Sequence, residues 1–191
     1  WDIPDAVDAF FPNSQYDGVI IVGIDNASSH GKFSRMDEYS PWPRNTSFPL
    51  PGWDPDVDYS GGKGALYVDF IVNTLKNYID SNFRTLPDRN NTAIAGSSMG
   101  AYISLFAAIL RLDVFSKVGV FSPALWFNDS AMLNFIQENN IFADLTVYLD
   151  VGTLETSGMR EDFPAVYISG AEKLCVSLCK QRNVTIDYHL W

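Results

Sequence analysis

The chain has 191 residues, 47% of them hydrophobic, and carries 13 Lys and Arg against 23 Asp and Glu, a formal charge of -10. Such a length and apolar content suit one domain, 1–191, with a sizeable core. The acidic balance excludes the basic surface that nucleic acid requires as a partner, and no apolar run reaches the roughly 18 residues of a membrane span, so no membrane partner is expected.

Ile3, Ala6, Val7, Phe10 and Phe11 make a helical stripe over Ile3–Phe11, which Asn13 and Ser14 break. Gly18–Ile24 (GVIIVGI) is a continuous apolar run rich in branched residues, as expected of a strand covered on both faces. From Asp25 to Gly64 periodicity vanishes. Forty such residues in a compact domain predict a lid or binding loop, and the aromatics Phe33, Tyr39, Trp42, Phe48, Trp53 and Tyr59 predict an ordered excursion over the sheet edge. Ala65–Phe83 repeats apolar residues near a period of 3.6 and ends before the turn Pro87-Asp88, which predicts a helix.

Downstream, Thr92–Ser97 predicts a strand and Met99–Leu112 a helix; Val118–Phe121 predicts another strand, leading into Ser122-Pro123-Ala124-Leu125-Trp126. Asp129 is suited to cap a helix over Ser130–Glu138. Leu145–Val151 reads as a strand, Phe163–Gln181 as mostly helix and Val184–Leu190 as an alternating last strand. Five alternations of strand and helix call for an α/β three-layer sandwich, a mostly parallel sheet with helices on both faces. Ligands in such sheets bind beyond the carboxyl ends of the strands. The segments to search are Asp25 onward, Ser97–Gly100, Ser122–Trp126 and Gly152–Ser157.

One of these carries a motif. Gly96-Ser97-Ser98-Met99-Gly100 is G-x-S-x-G between a strand and a helix, the setting of a nucleophile elbow with Ser98 as nucleophile. The glycines permit a strained backbone and close approach of strand to helix, and the helix start supplies backbone N–H groups for a developing oxyanion. The plainer reading is a turn in which Ser98 caps the helix.

A serine nucleophile needs a histidine, and the histidine a carboxylate, in the chain order serine, acid, histidine. Glu155, in the loop three residues past Gly152, is the expected acid; Asp150 is still within a strand, and Asp129 serves better as a cap. His30 lies upstream in the long loop and His189 inside the last strand, so the catalytic histidine is expected in a turn after that strand, beyond Trp191. The chain begins at Trp1 in mid-pattern, without a basic-then-apolar leader, and reads as a piece of something longer. Cys175 and Cys179 lie four apart on one helical face and read as buried or half-buried thiols, compatible with a reducing cytoplasm without requiring it. Five sequons, at Asn26, Asn45, Asn90, Asn128 and Asn183, do not by themselves argue for secretion.

IIVGIDN at Ile20–Asn26, RMDEYSPW at Arg35–Trp42, IAGSSMGAYISL at Ile94–Leu105, VFSPALWF at Val120–Phe127 and YLDVGTLE at Tyr148–Glu155 occur in one order. Together they resemble the putative esterase family of α/β-hydrolases, which includes esterase D, enterochelin esterases and feruloyl and acetylxylan esterases. The resemblance implies an α/β-hydrolase fold lacking its N-terminal strands and C-terminal end. It places the nucleophile on Ser98, an oxyanion donor on the Met99 N–H and the acid on Glu155, where many members have Asp; no residue here matches the family histidine. Arg35, Glu38, Tyr39 and Trp42 match a family signature that either contacts substrate or forms a salt-bridged and aromatic-packed loop anchor. Trp126 reads as a pocket wall or a core tryptophan. The expected activity is hydrolysis of small-molecule or carbohydrate esters without cofactor or metal. A homo-oligomer is compatible with the sequence, and an acyltransferase and a catalytically silent binding domain remain the rivals.

Overall fold

A computed structural model describes residues 18–27, 31, 34–50, 52, 54–156 and 160–191. In chain order the helices are α1 (Ser34–Glu38), α2 (Gly64–Phe70), α3 (Lys76–Asn82), α4 (Met99–Leu110), α5 (Asp129–Glu138) and α6 (Phe163–Leu178). A single π turn, Ile71–Leu75, joins α2 to α3, so the predicted helix 65–83 is one rod with a local widening. Four strands, β1 (Ala93–Ser97), β2 (Lys117–Phe121), β3 (Leu145–Val151) and β4 (Val184–Leu190), form a parallel sheet in sequence order.

Each strand therefore pairs with its successor; the right-handed rule for parallel crossovers then expects the connecting helices on one face, and α4, α5 and α6 share one core cluster with the sheet. Burial follows the register. Ile94, Val118, Val147 and Ile186 lie side by side, as do Gly96, Val120, Leu149 and Tyr188, and these rows face the helices. Val147 and Leu149 are fully buried, each contributing about 1.5–3 kcal/mol from the transfer of its side chain out of water. On the other face Phe121, Tyr148, His189 and Trp191 form a row of ring contacts 5.2–5.4 Å apart. Helices on both faces are expected from the sequence; the crossover helices share one, and the expected helix Ile3–Phe11 lies outside the described residues.

The long excursion is ordered where it is described. Trp42 sits edge-on to Tyr102, Phe106 and Phe135 at 5.4–6.1 Å, and Pro43 bridges to Gly61. The buried Arg44 guanidinium ties the loop together by bonding Asp58 and the Phe48 carbonyl. Phe33 and Trp53 lie outside the described residues.

Three expectations are corrected. Gly18–Ile24 is not a strand: it pairs with none of the four, and Val19, Ile20, Ile21 and Val22 are exposed. A strand apolar on both sides gains its burial only where both sheet faces are covered, and the crossover helices cover one. Asp129 does not cap α5. Asn128 does, its side chain accepting from the Ala131 N–H at 3.1 Å, while Asp129 is the first helical residue and pairs with Lys173. Cys179 is exposed at the end of α6, where the helix stops short of the predicted Gln181; Cys175 is half-buried, and burial pushes its thiol up, with Cys179 adding to the shift.

Candidate active site

The carboxyl ends of β1, β2 and β3 bring Ser98, Ser122 and the Gly152–Glu155 loop to one rim of the sheet. Ser98 joins β1 to α4 with φ 57° and ψ -119°, a conformation that a serine adopts only at a cost. The first glycine of the motif is sterically required: a Cβ on Gly96 would lie 2.4 Å from the Gly100 carbonyl carbon. Neighbouring segments fix the bend, the Ser98 N–H donating to the Phe121 carbonyl at 3.0 Å and the Ala124 N–H to the Ser98 carbonyl at 3.2 Å.

Ser98 occupies the cap position of α4, yet its side chain makes no capping bond. Its Oγ instead lies 3.4 Å from the Tyr167 hydroxyl, which α6 carries in a buried position. The plainer reading of Ser98 as a helix cap is therefore not the observed geometry. Met99 opens α4, where the first backbone N–H groups have no partner within the helix. Its side chain is 1% exposed and packs with Ala124 and Phe127.

Tyr39 and Trp126 pack against that same cluster, so the excursion reaches the elbow. Tyr39 contacts the Tyr67 ring at 5.3 Å, and the Arg35 guanidinium lies over the Tyr39 ring at 5.6 Å. Burial pushes the Tyr67 phenol up, helped by Tyr39, Glu38 and Asp25. Glu38 accepts from the Ala27 N–H at 2.9 Å and Trp42 is held among core rings, so these two members of the signature anchor the loop. Trp126 contacts Phe48 and Phe163 and lines a groove of about 420 Å³ with Phe48, Leu125, Asp129, Gly170 and Lys173; Ser98 does not line it.

Glu155 is half-buried, and its Oε1 accepts from the Gly152 N–H at 3.2 Å and from the Ser122 hydroxyl. Asp150 acts locally, accepting from the Ser122 N–H at 3.3 Å and the Tyr148 hydroxyl at 3.2 Å. His189 lies opposite Asp150 in the register, with Nε2 2.9 Å from Asp187 and its ring between those of Tyr148 and Trp191. That contact uses His189 within its own strand. His30 lies outside the described residues.

Two further residues stand at this rim. Tyr167 carries no signal in the sequence beyond its place in the predicted helix 163–181, whereas Ser122 opens a segment, Ser122–Trp126, that the sequence marks for search without singling out the serine. Among the described residues no group of three His, Cys, Asp or Glu side chains is placed to hold a metal ion, and no helix is long and apolar enough to cross a membrane.

Known proteins resemble this chain in sequence or in fold. It is 26% identical over 125 residues to the uncharacterized protein YbbA of Bacillus subtilis, covering 65% of this chain and 45% of YbbA. An IroE-like serine hydrolase from Shewanella oneidensis superposes with a TM-score of 0.61 at 20% identity, over 82% of this chain and 50% of that one. The enterobactin esterase FES from Shigella flexneri, solved with enterobactin, superposes with a TM-score of 0.58 at 16% identity, over 83% of this chain and 34% of FES. The chain thus spans half or less of the length of these proteins, and the two structures bear on the fold alone. A match to the family described as Putative esterase runs over residues 1–189. With that match and the α/β fold of four parallel strands, the chain belongs to the Putative esterase family.

Proposed function

We propose that this chain carries the nucleophile and acid of a serine carboxylesterase. The observation that carries the reading is Ser98 itself, held at positive φ on the strand–helix joint with a hydroxyl that does not cap the helix. Strain of this kind persists where the surroundings over-determine it and clusters at functional sites.

In this reading Ser98 Oγ attacks the carbonyl carbon of an ester while its proton passes to a histidine outside the described residues. The carbonyl oxygen becomes an oxyanion facing the Met99 N–H at the start of α4. The tetrahedral intermediate collapses, the C–O bond to the alcohol breaks and the histidine returns the proton to the departing oxygen. Water then repeats the sequence on the acyl-enzyme and frees the acid. Glu155 holds the histidine in the required tautomer. Two strand spacings, about 10 Å, separate the ends of β1 and β3, and an imidazole with a hydrogen bond at each end spans most of that gap.

Arg35, Tyr39 and Trp126 are assigned to substrate contact, Tyr39 and Trp126 because both pack on the Met99 cluster. The substrate class is a small-molecule or carbohydrate ester. Siderophore esters fall within it, the class named for the enterobactin esterase FES, which shares the fold. The test is hydrolysis of a p-nitrophenyl ester by the full-length protein and its Ser98→Ala variant. A fall of at least about a thousandfold in kcat is expected, and equal rates overturn the assignment.

A further inference from the structure

Ser98 and Ser122 are the two non-glycine residues with positive φ among the described residues. They stand next to each other: Ser97 pairs with Phe121, and each serine follows its strand by one residue. The bend at Ser98 is accounted for by the elbow. The bend at Ser122, φ 43°, has no such account.

Its contacts supply one. The Ser122 N–H donates to the Asp150 carbonyl at 3.0 Å and to Asp150 Oδ1 at 3.3 Å, which fixes the residue to the end of β3. The hydroxyl is thereby turned toward the next loop, where it donates to Glu155 Oε1. The Gly152 N–H donates to the same oxygen at 3.2 Å, and a Cβ on Gly152 would come within 3.1 Å of it. Both donors thus address one carboxylate oxygen, Oε1, and among the described residues none addresses Oε2. A glutamate has one more side-chain torsion to freeze than an aspartate, so it places its carboxylate only if something holds it.

We infer that Ser122 is a positioning residue: with the Gly152 N–H it clamps Oε1 of Glu155 so that Oε2 faces the imidazole. The inference rests on the esterase reading above. The strained backbone at Ser122 is what aims the clamp, because a relaxed turn would point the hydroxyl elsewhere.

The test is a double-mutant cycle in the full-length protein, with p-nitrophenyl acetate as substrate. Ser122→Gly removes the hydroxyl while accepting the positive φ, so the turn is kept; a thermal melt of each variant checks that it is. Glu155→Gln removes the charge. Ser122→Gly is expected to lower kcat about tenfold with KM within about twofold, and Glu155→Gln about a hundredfold. The double variant is expected to fall within about twofold of Glu155→Gln alone, because a clamp has no effect once its carboxylate is gone. Losses that multiply, or a wild-type kcat in either single variant, overturn the proposal. If Ser122→Gly melts early, Ser122→Ala takes its place in the cycle, with the same outcomes. Ser98→Ala separates the two readings. An active Ser98→Ala sinks the esterase reading itself, whereas an inactive one beside an unaffected Ser122→Gly sinks only the clamp.

Discussion

The two rims of the sheet are built differently. At the amino rim long side chains tie the loops to backbone carbonyls: Arg89 donates to the carbonyls of Leu112, Phe115 and Asp144, Gln181 to that of Ile136 and Asn183 to that of Ile141, beside the surface pairs Asn91–Asp88 and Arg111–Asp113. At the carboxyl rim polar side chains face one another, Ser98 with Tyr167 and Ser122 with Glu155, and both positive-φ serines are there. One rim satisfies backbone carbonyls without backbone strain, the use of polar groups that stability favours. The other holds both residues of strained backbone, and strain of that kind is a cost to stability that clusters at functional sites.

This contrast is open to test by substitution. The largest effect expected is that of Ser98→Ala at the carboxyl rim, where activity falls at least about a thousandfold while the melting temperature stays within a few degrees of wild type. A matching drop in stability would mean that the serine is structural. Next in size is Arg89→Ala at the amino rim, which strands three carbonyls and is expected to cost about 2 kcal/mol in denaturant titration, with kcat per folded molecule unchanged. Tyr167→Phe returns the comparison to the carboxyl rim. It removes only the hydroxyl beside Ser98 Oγ, and a fall in kcat of about tenfold, with little change in melting temperature, is expected.

The smallest effect concerns acid. At the amino rim the Asn91 side chain and the Asn90 N–H hold Asp88 below the usual carboxylate range, and the Arg111 guanidinium does the same for Asp113. Carboxyls depressed in the folded state contribute stability above their unfolded value of about 3.9 and lose it as pH falls through the folded value. Melting temperature should therefore begin to drop below about pH 4, and less so in Asp88→Asn.

The sequence makes the rims visible to different degrees. The strands after residue 90 are legible because their apolar runs lie between turn residues, and their structural bounds differ from the predicted ones by a residue at most. Gly18–Ile24 has the same kind of run and does not pair, since a run records what a segment needs and not what covers it. The elbow is legible because Gly96 and Gly100 sit within five residues of chain. Ser122 and Tyr167 are not, for they meet Glu155 and Ser98 across 33 and 69 residues, and no local pattern encodes such a meeting. The cap of α5 lies one residue from its expected place because Asn128 and Asp129 are both good caps and only the backbone turn chooses between them.

The order in which the strands lie also bears on how the chain is made. Each strand from β2 to β4 finds its neighbour in the one synthesised just before it, so the ribosome delivers the sheet one crossover at a time. No strand in this series waits for a partner still to be translated. Ser98, at the end of β1 and ahead of this series, has left the ribosome before the loop that bears Glu155 is made.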